Sequence, residues 1–191
     1  DYQHLRNIRS GLLDYTYTFG YELYDGSQGG EDAEGNPNAS DLHVLLQEGI
    51  GLINYTGHGS SLSCSSSGYN SSDVNQLTNS DVHPFFWSVA CVNGDFTDIT
   101  CFAETWLRAT HNETGEPTGA IATLMSTINQ SWSPPMEGQD HMNLILTEMS
   151  ETSKSRSFGG ISMNGCMKMN DTYGSSGYEM TDTWTCFGDP S

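Results

Sequence analysis

Gly51-Leu52-Ile53-Asn54-Tyr55, followed at once by Thr56-Gly57-His58-Gly59, is a short apolar run closed by a glycine-flanked histidine. Runs of this length, bounded by turn residues and rich in β-branched and aromatic side chains, read as buried strands. The same pattern recurs downstream. Phe85 to Ala90 ends in Cys91-Val92-Asn93-Gly94, and Ala120 to Met125 ends in Ser126-Thr127-Ile128-Asn129-Gln130. Helical periodicity follows over Phe102 to Ala109 and over Asp140 to Met149, where Met142, Ile145 and Met149 share a face. Short apolar strands alternating with helices predict an α/β fold with a mainly parallel sheet.

Upstream, Leu5, Ile8 and Leu12 predict an amphipathic helix over Gln3 to Leu13. Tyr15 to Tyr24 is aromatic and β-branched and reads as a strand. Asp25 to Ser40 is a Gly-, Asp-, Glu- and Asn-rich loop, and Asp41 to Glu48 is a short helix capped by Ser40 or Asp41. Ser60 to Ser80, rich in Ser and Asn, reads as a surface excursion. No internal repeat stands out.

With 191 residues the chain can bury one full core, which predicts one domain. Six Lys and Arg against 24 Asp and Glu give a formal charge of −18, without the basic clustering that neutralises phosphates, so nucleic acid is excluded as a partner. Such a charge suits solvated acidic loops, a secreted surface, or a field that draws in cationic substrates. Aromatic content and distinct apolar runs argue against wholesale disorder. No apolar run approaches the roughly eighteen residues needed to span a bilayer. No leader peptide is visible, and the chain reads as a fragment of a longer protein. The five cysteines, Cys64, Cys91, Cys101, Cys166 and Cys186, leave at least one outside any internal pairing. They form no C-x-x-C pair, which argues against a zinc ribbon or a thioredoxin-type centre.

In an open parallel sheet, ligands sit beyond the carboxyl ends of the strands. His58, Cys91 and the Gln130-Ser131-Trp132 segment each follow a predicted strand, so parallel neighbours would bring a base, a thiol and an aromatic wall to one edge. A thiol needs a base because the thiolate is the nucleophile. An imidazole within reach takes the proton and later returns it to the leaving amine. Gly57 and Gly59 allow a tight turn, and the Gly59 N–H can join that of Cys91 as an oxyanion hole. Taken singly, a Cys after a strand is more often a small buried hydrophobe, and Gly-His-Gly can be a turn or a metal ligand. Elsewhere, His83 before Pro84 reads as turn structure, Trp87 and Trp106 as core, and Asp95 as a loop-setting residue. Cys101 and Cys186 read as inert buried thiols.

At Asn54-Tyr55-Thr56-Gly57-His58-Gly59-Ser60 and Val89-Ala90-Cys91-Val92-Asn93-Gly94-Asp95-Phe96 the sequence resembles the His and Cys blocks of the gingipains, peptidase family C25. Further matching blocks follow in order: Cys101-Phe102-Ala103-Glu104, Pro117-Thr118-Gly119, Ser126 to Trp132, and Gly138-Gln139-Asp140. Phe158-Gly159-Gly160, Met163-Asn164-Gly165, Asp182 to Thr185 and Phe187 to Ser191 complete the series. The blocks run across nearly the whole chain and are closer to the Arg-specific gingipains than to the Lys-specific ones. The resemblance implies a caspase-like three-layer fold whose sheet is flanked by helices. Residues 1–191 would then be the C-terminal part of a catalytic domain, with an N-terminal subdomain, and the acidic residue that orients the histidine, upstream of it.

The resemblance also implies a bacterial cysteine endopeptidase, secreted or attached to the cell surface, that forms a thioester acyl-enzyme. It would cleave proteins and peptides after basic residues, with Arg preferred over Lys. By this similarity His58 and Cys91 are the catalytic dyad, and the N–H groups of Gly59 and Cys91 the oxyanion hole. Asp1, through the pattern Asp1-x-x-His4 and Ile8-Arg9, matches the acid at the base of the S1 pocket. Trp132 and Met136 match its walls, with Gln130 and Val89 beside them. A buried carboxylate suits a bidentate guanidinium contact, and an indole face suits cation–π stacking. Catalysis would need no cofactor. Structural calcium is implied by the family; Asp25 to Asp32 offers hard oxygen ligands without an EF-hand pattern. The rival readings are a different P1 specificity on the same fold and a non-catalytic surface or adhesion module. A metal-dependent hydrolase using His58 lacks partner ligands at metal-binding spacing.

Overall fold

Two of the three apolar runs become neighbouring parallel strands whose ends carry His58 and Cys91, and the third extends the same sheet. The computed structural model describes residues 2–191. In chain order the elements are α1 (Tyr2–Tyr15), α2 (Ala39–Glu48), β1 (Leu52–Thr56), β2 (Gly59–Ser60), β3 (Ser63–Cys64) and β4 (Tyr69–Asn70). Then come α3 (Ser71–Val74), β5 (Phe85–Val89), α4 (Phe102–Arg108), β6 (Ala122–Ser126) and α5 (Ser133–Leu146). The chain closes with α6 (Phe158–Tyr173), α7 (Ser175–Thr183) and β7 (Trp184–Gly188). The described residues form two compact units, one built from 2–37 and 131–182, the other from Asn38–Gln130 and Thr183–Pro190.

The second unit holds a sheet in the order β1-β5-β6-β7. β1, β5 and β6 run parallel, and β7 pairs antiparallel with β6. The mainly parallel sheet of an α/β protein is therefore present as the alternation of strands and helices predicts. β6 is buried throughout and β5 all but its first residue, as central strands must be, which is why both read as continuous apolar runs. α4 packs on β6 and β7 and seats Trp106 at the centre of the core. The Trp106 ring lies edge-on to Phe86 at 5.4 Å and to Phe102 at 6.0 Å, with Tyr69 6.0 Å away.

The stretch from 60 to 80 is more than a surface excursion. Its polar residues turn the small sheet β2-β3-β4 and cap α3, while Cys64, Tyr69, Val74 and Leu77 enter the core. The widely spaced apolar residues hid this contribution. α2 is capped by Asn38, not by Ser40 or Asp41. The Asn38 side chain accepts from the N–H groups of Ser40 and Asp41, and Asp41 accepts the Asn38 N–H at 3.0 Å.

In the first unit α5 packs against both α1 and α6. α5 starts at Ser133 and ends at Leu146, earlier at both ends than the periodicity predicts. Pro134 and Pro135 are accommodated in its first turn, where backbone N–H groups have no helical partner. Met142 and Ile145 are buried, but Met149 lies beyond the helix and is exposed. Tyr15 to Tyr24 is not a strand. Its charges explain why: Glu22, 5% exposed, sits between Arg6 at 2.7 Å and Arg9 at 3.4 Å, and Arg9 also donates to the Gly20 carbonyl. Arg6 further lies 5.3 Å from the ring centres of both Tyr2 and Tyr24. These contacts tie the segment to α1, and Phe19 and Tyr21 are left exposed.

Candidate active site

The register of β1 on β5 fixes the site. Thr56 pairs with Val89, the last residue of each strand, so His58 and Cys91 each fall two residues beyond one register pair. Parallel neighbours lie about 4.8 Å apart. The Gly57 N–H donates to the Val89 carbonyl at 3.1 Å, carrying the pairing one step past the strands. His58 is exposed and Cys91 half-buried.

The backbone at His58 is held from several sides. The Tyr55 hydroxyl donates to the His58 carbonyl at 2.6 Å, and the Ser65 N–H donates to the same oxygen at 2.8 Å. The His58 N–H donates to Ser66 Oγ at 3.1 Å. Because 58 and 65 are bonded in this way, the next pair, Gly59 and Cys64, is the non-bonded one of the antiparallel alternation. The Gly59 N–H therefore points away from β3. Gly59 also packs where no side chain fits: a Cβ there would lie 2.6 Å from the Cys91 carbonyl oxygen and 2.9 Å from Ala90 Cβ. The glycine allows the His58 turn to touch the Cys91 turn.

Cys91 opens a tight turn. Val92 has φ +49°, a left-handed conformation that a β-branched residue adopts only under constraint. Its N–H donates to the Ile128 carbonyl at 3.0 Å, the Gly94 N–H to Ser126 at 2.8 Å, and the Asp95 N–H to Val92 at 3.1 Å. Strained residues of this kind persist where surrounding contacts over-determine them. The Cys91 thiol is 3.9 Å from the Gln130 carbonyl, and the Gln130 side chain accepts the Ala90 N–H at 3.1 Å. Gln130 Nε2 is buried with no acceptor among the described residues. The three strand-end segments thus meet at one edge, as far as Gln130.

The other predicted site residues have these places. Val89 is fully buried at the end of β5. Trp132 and Met136 lie in the first unit, Trp132 as the exposed N-cap of α5 and Met136 half-buried in its first turn. Asp1 lies outside the described residues. His4, three residues on, is nearly buried: its Nε2 lies 2.9 Å from Gln139 Oε1, and its Nδ1 3.1 Å from Asp140 Oδ1.

All five cysteines are free. Burial raises the thiols of Cys64 and Cys101, and pushes Cys166 up to about 12. Each is held as the neutral, poorly nucleophilic thiol. Cys186, on the edge strand β7, is exposed, where the sequence predicts a buried thiol. The protein around its sulfur still raises it.

Asp32 spends both oxygens on the N–H groups of Tyr24 and Gln28, at 2.9 Å each, and Glu31 pairs with Arg9 at 2.6 Å. Among the described residues no group of three or more His, Cys, Asp or Glu converges on a metal position. None of the described helices is long and apolar enough to cross a membrane. Asp95 accepts the Thr97 N–H at 3.2 Å, a loop-setting contact.

One residue at this edge escaped the sequence reading. Asn93, fully buried, links the Cys91 turn to the β2-β3 hairpin through its side chain. The only signal for it was the Asn93-Gly94 dipeptide, which marks a turn but not its partners.

The chain is 44% identical to gingipain R2 of Porphyromonas gingivalis over its full length, covering 25% of that protein. It therefore spans about a quarter of the length of this relative. The crystal structure of the Arg specific cysteine proteinase gingipain R superimposes with a TM-score of 0.90 at 44% identity, covering 99% of this chain and 41% of that one. A complex of the pro- and mature domains of RgpB from Porphyromonas gingivalis gives 0.88 at 43% identity, covering 100% of this chain and 43% of that one. Together with the match of the C25 profile to residues 7–191, this identity means that the chain belongs to peptidase family C25.

Proposed function

We propose that this chain carries the reactive centre of a secreted bacterial thiol endopeptidase that cleaves after Arg, and less readily after Lys. The observation that carries the reading is the shared register. His58 and Cys91 follow paired strand ends at the same height, and the Gly59 backbone rests on the Cys91 carbonyl.

The residues act in a simple order. His58 takes the thiol proton of Cys91, and the thiolate attacks the carbonyl carbon of the scissile bond. The carbonyl oxygen becomes an oxyanion that receives hydrogen bonds from the N–H groups of Gly59 and Cys91. As the intermediate collapses, His58 gives the proton to the departing amine, and the acyl group remains as a thioester on Cys91. Water then attacks the thioester while His58 takes its proton, and the thiolate leaves. No metal or cofactor enters these steps.

For the P1 side chain, Asp1 would receive the guanidinium in a bidentate contact, while the exposed Trp132 ring offers a stacking face. By the resemblance Met136, Val89 and Gln130 are the further S1 residues, and the Gln130 amide, buried with no acceptor among the described residues, is a donor open to a substrate oxygen. The name of the structural relative, an Arg specific cysteine proteinase, supports the basic preference. The upstream subdomain that precedes the matching region in the family would supply the acid that orients His58. Replacing Cys91 by Ala in the full-length parent removes turnover of an Arg-amide reporter in this account. Turnover at the wild-type rate would end it.

A further inference from the structure

Asn93 is fully buried, two residues beyond the nucleophile, and every polar atom of its side chain is engaged. Its Nδ2 donates to the carbonyl of Ser60 at 2.7 Å and to that of Ser63 at 2.9 Å. Ser60 and Ser63 face each other across the β2-β3 turn, so one amide grips both strands of the hairpin that begins at Gly59. On the other side its Oδ1 accepts the Ser88 hydroxyl at 2.9 Å, and the Ser88 carbonyl accepts the Trp184 indole N–H at 3.2 Å. The Asn93 carbonyl accepts the Ala103 N–H at 3.1 Å. Asn93 is therefore anchored through its side chain to Ser88 of β5 and through its backbone carbonyl to the start of α4, and its Nδ2 reaches out to the strand that follows His58.

We propose that Asn93 is a positioning residue for the oxyanion hole: by clamping the hairpin to the Cys91 turn it fixes the Gly59 N–H at a set distance and angle from the Cys91 N–H. This rests on the peptidase reading above. The two proposed donors sit on different chain segments, 32 residues apart in number (91 − 59), so their spacing is a tertiary quantity that some group must set. Contact alone sets only a minimum: Gly59 cannot come closer than the Cys91 carbonyl and Ala90 Cβ allow. The Asn93 hydrogen bonds set the maximum. An oxyanion gains from a donor only within about 2.7–3.1 Å of it, so small drifts of the hairpin reduce the stabilisation. Asn93 touches no reacting atom and is closed to solvent, which separates its role from that of the dyad.

The test uses the full-length parent with Asn93→Asp, which keeps the shape but replaces the double donor by an oxygen facing two carbonyls. Two rates are measured: turnover of an Arg-amide reporter, and alkylation of Cys91 by iodoacetamide followed by mass spectrometry. The thiolate displaces iodide from iodoacetamide without forming an oxyanion, so this rate reports the thiolate alone. The expected result is a fall in kcat of about 100-fold, the usual size for a misplaced oxyanion donor, with KM and the alkylation rate within about threefold of wild type. An unchanged kcat overturns the inference. A parallel fall in the alkylation rate overturns it too, because the nucleophile turn itself would then be disordered. If Asn93→Asp does not fold, Ser88→Ala decides by the same criteria: it loosens the anchor while leaving both clamping bonds, and a smaller loss confined to kcat is expected. A wild-type parent that turns over no Arg reporter overturns the peptidase reading and this inference with it. An active wild type beside an unimpaired variant overturns the inference alone.

Discussion

Gly59 shows how narrow the site is at the residue scale. A methyl group there would meet the Cys91 carbonyl at 2.6 Å and Asn93 Nδ2 at 3.0 Å, both parts of fixed backbone or of a fully bonded amide. Gly59→Ala must therefore push the His58 turn from the Cys91 turn. The expected result is a loss of about 100-fold in kcat/KM on an Arg-amide reporter, comparable to deleting one oxyanion donor. A variant within threefold of wild type would mean that the hole is built elsewhere. Val92, left-handed at φ +49°, aims the preceding residue in the same economical way: the strain lies beside the nucleophile, held by the Ile128 carbonyl.

At the scale of elements, helix ends and strand ends decide what the site can use. α2 leads directly into β1, and its capping box depends on Asn38. Asn38→Ala leaves the N–H groups of Ser40 and Asp41 without that acceptor and is expected to cost about 1 kcal/mol in chemical denaturation. No change in the denaturation midpoint would show that the cap is redundant. The strands bearing His58 and Cys91 were legible in the sequence as short apolar runs closed by glycine turns, although β1, at the sheet edge, is half-buried throughout where the sequence predicts a buried strand. Around Cys186 the residues are strand-like, but Trp184–Gly188 buries only Trp184 fully, so the sequence shows neither its antiparallel pairing with β6 nor the exposure of its cysteine. Tyr15 to Tyr24 misled for a different reason. Its side chains have strand propensity, but the tertiary ion pairs of Glu22 decide its path, and propensity cannot register a partner at Arg6. That His58 and Cys91 end neighbouring strands was legible from the apolar runs they follow, and their proposed role as a dyad came from the resemblance to the C25 blocks. Asn93 was not, because its importance lies in carbonyls 30 and 33 residues away.

For the whole molecule, charge and burial set the response to pH. His141 is buried on α5, and burial lowers its pKa from the ordinary 6.5; the Lys168 cation adds to this and Glu137 opposes it. A histidine with a depressed folded pKa binds its proton more readily in the unfolded chain. Its contribution to stability is therefore complete above about pH 6.5 and is lost as pH falls through the folded value. Calorimetry from pH 7 to pH 5 should show a falling Tm, and His141→Gln should flatten that fall. An identical slope in the variant would assign the acid sensitivity to other groups.

Cys91 is proposed as the nucleophile of a site that selects a basic side chain. This is tested most directly by treating the full-length parent with an Arg-chloromethylketone, with a neutral-P1 analogue alongside, and locating the adduct by mass spectrometry. The expected result is modification of Cys91 by the Arg probe and little by the neutral one, with Cys64, Cys101 and Cys166 untouched because burial holds them as thiols. Labelling by neither probe, or on another cysteine, would contradict it.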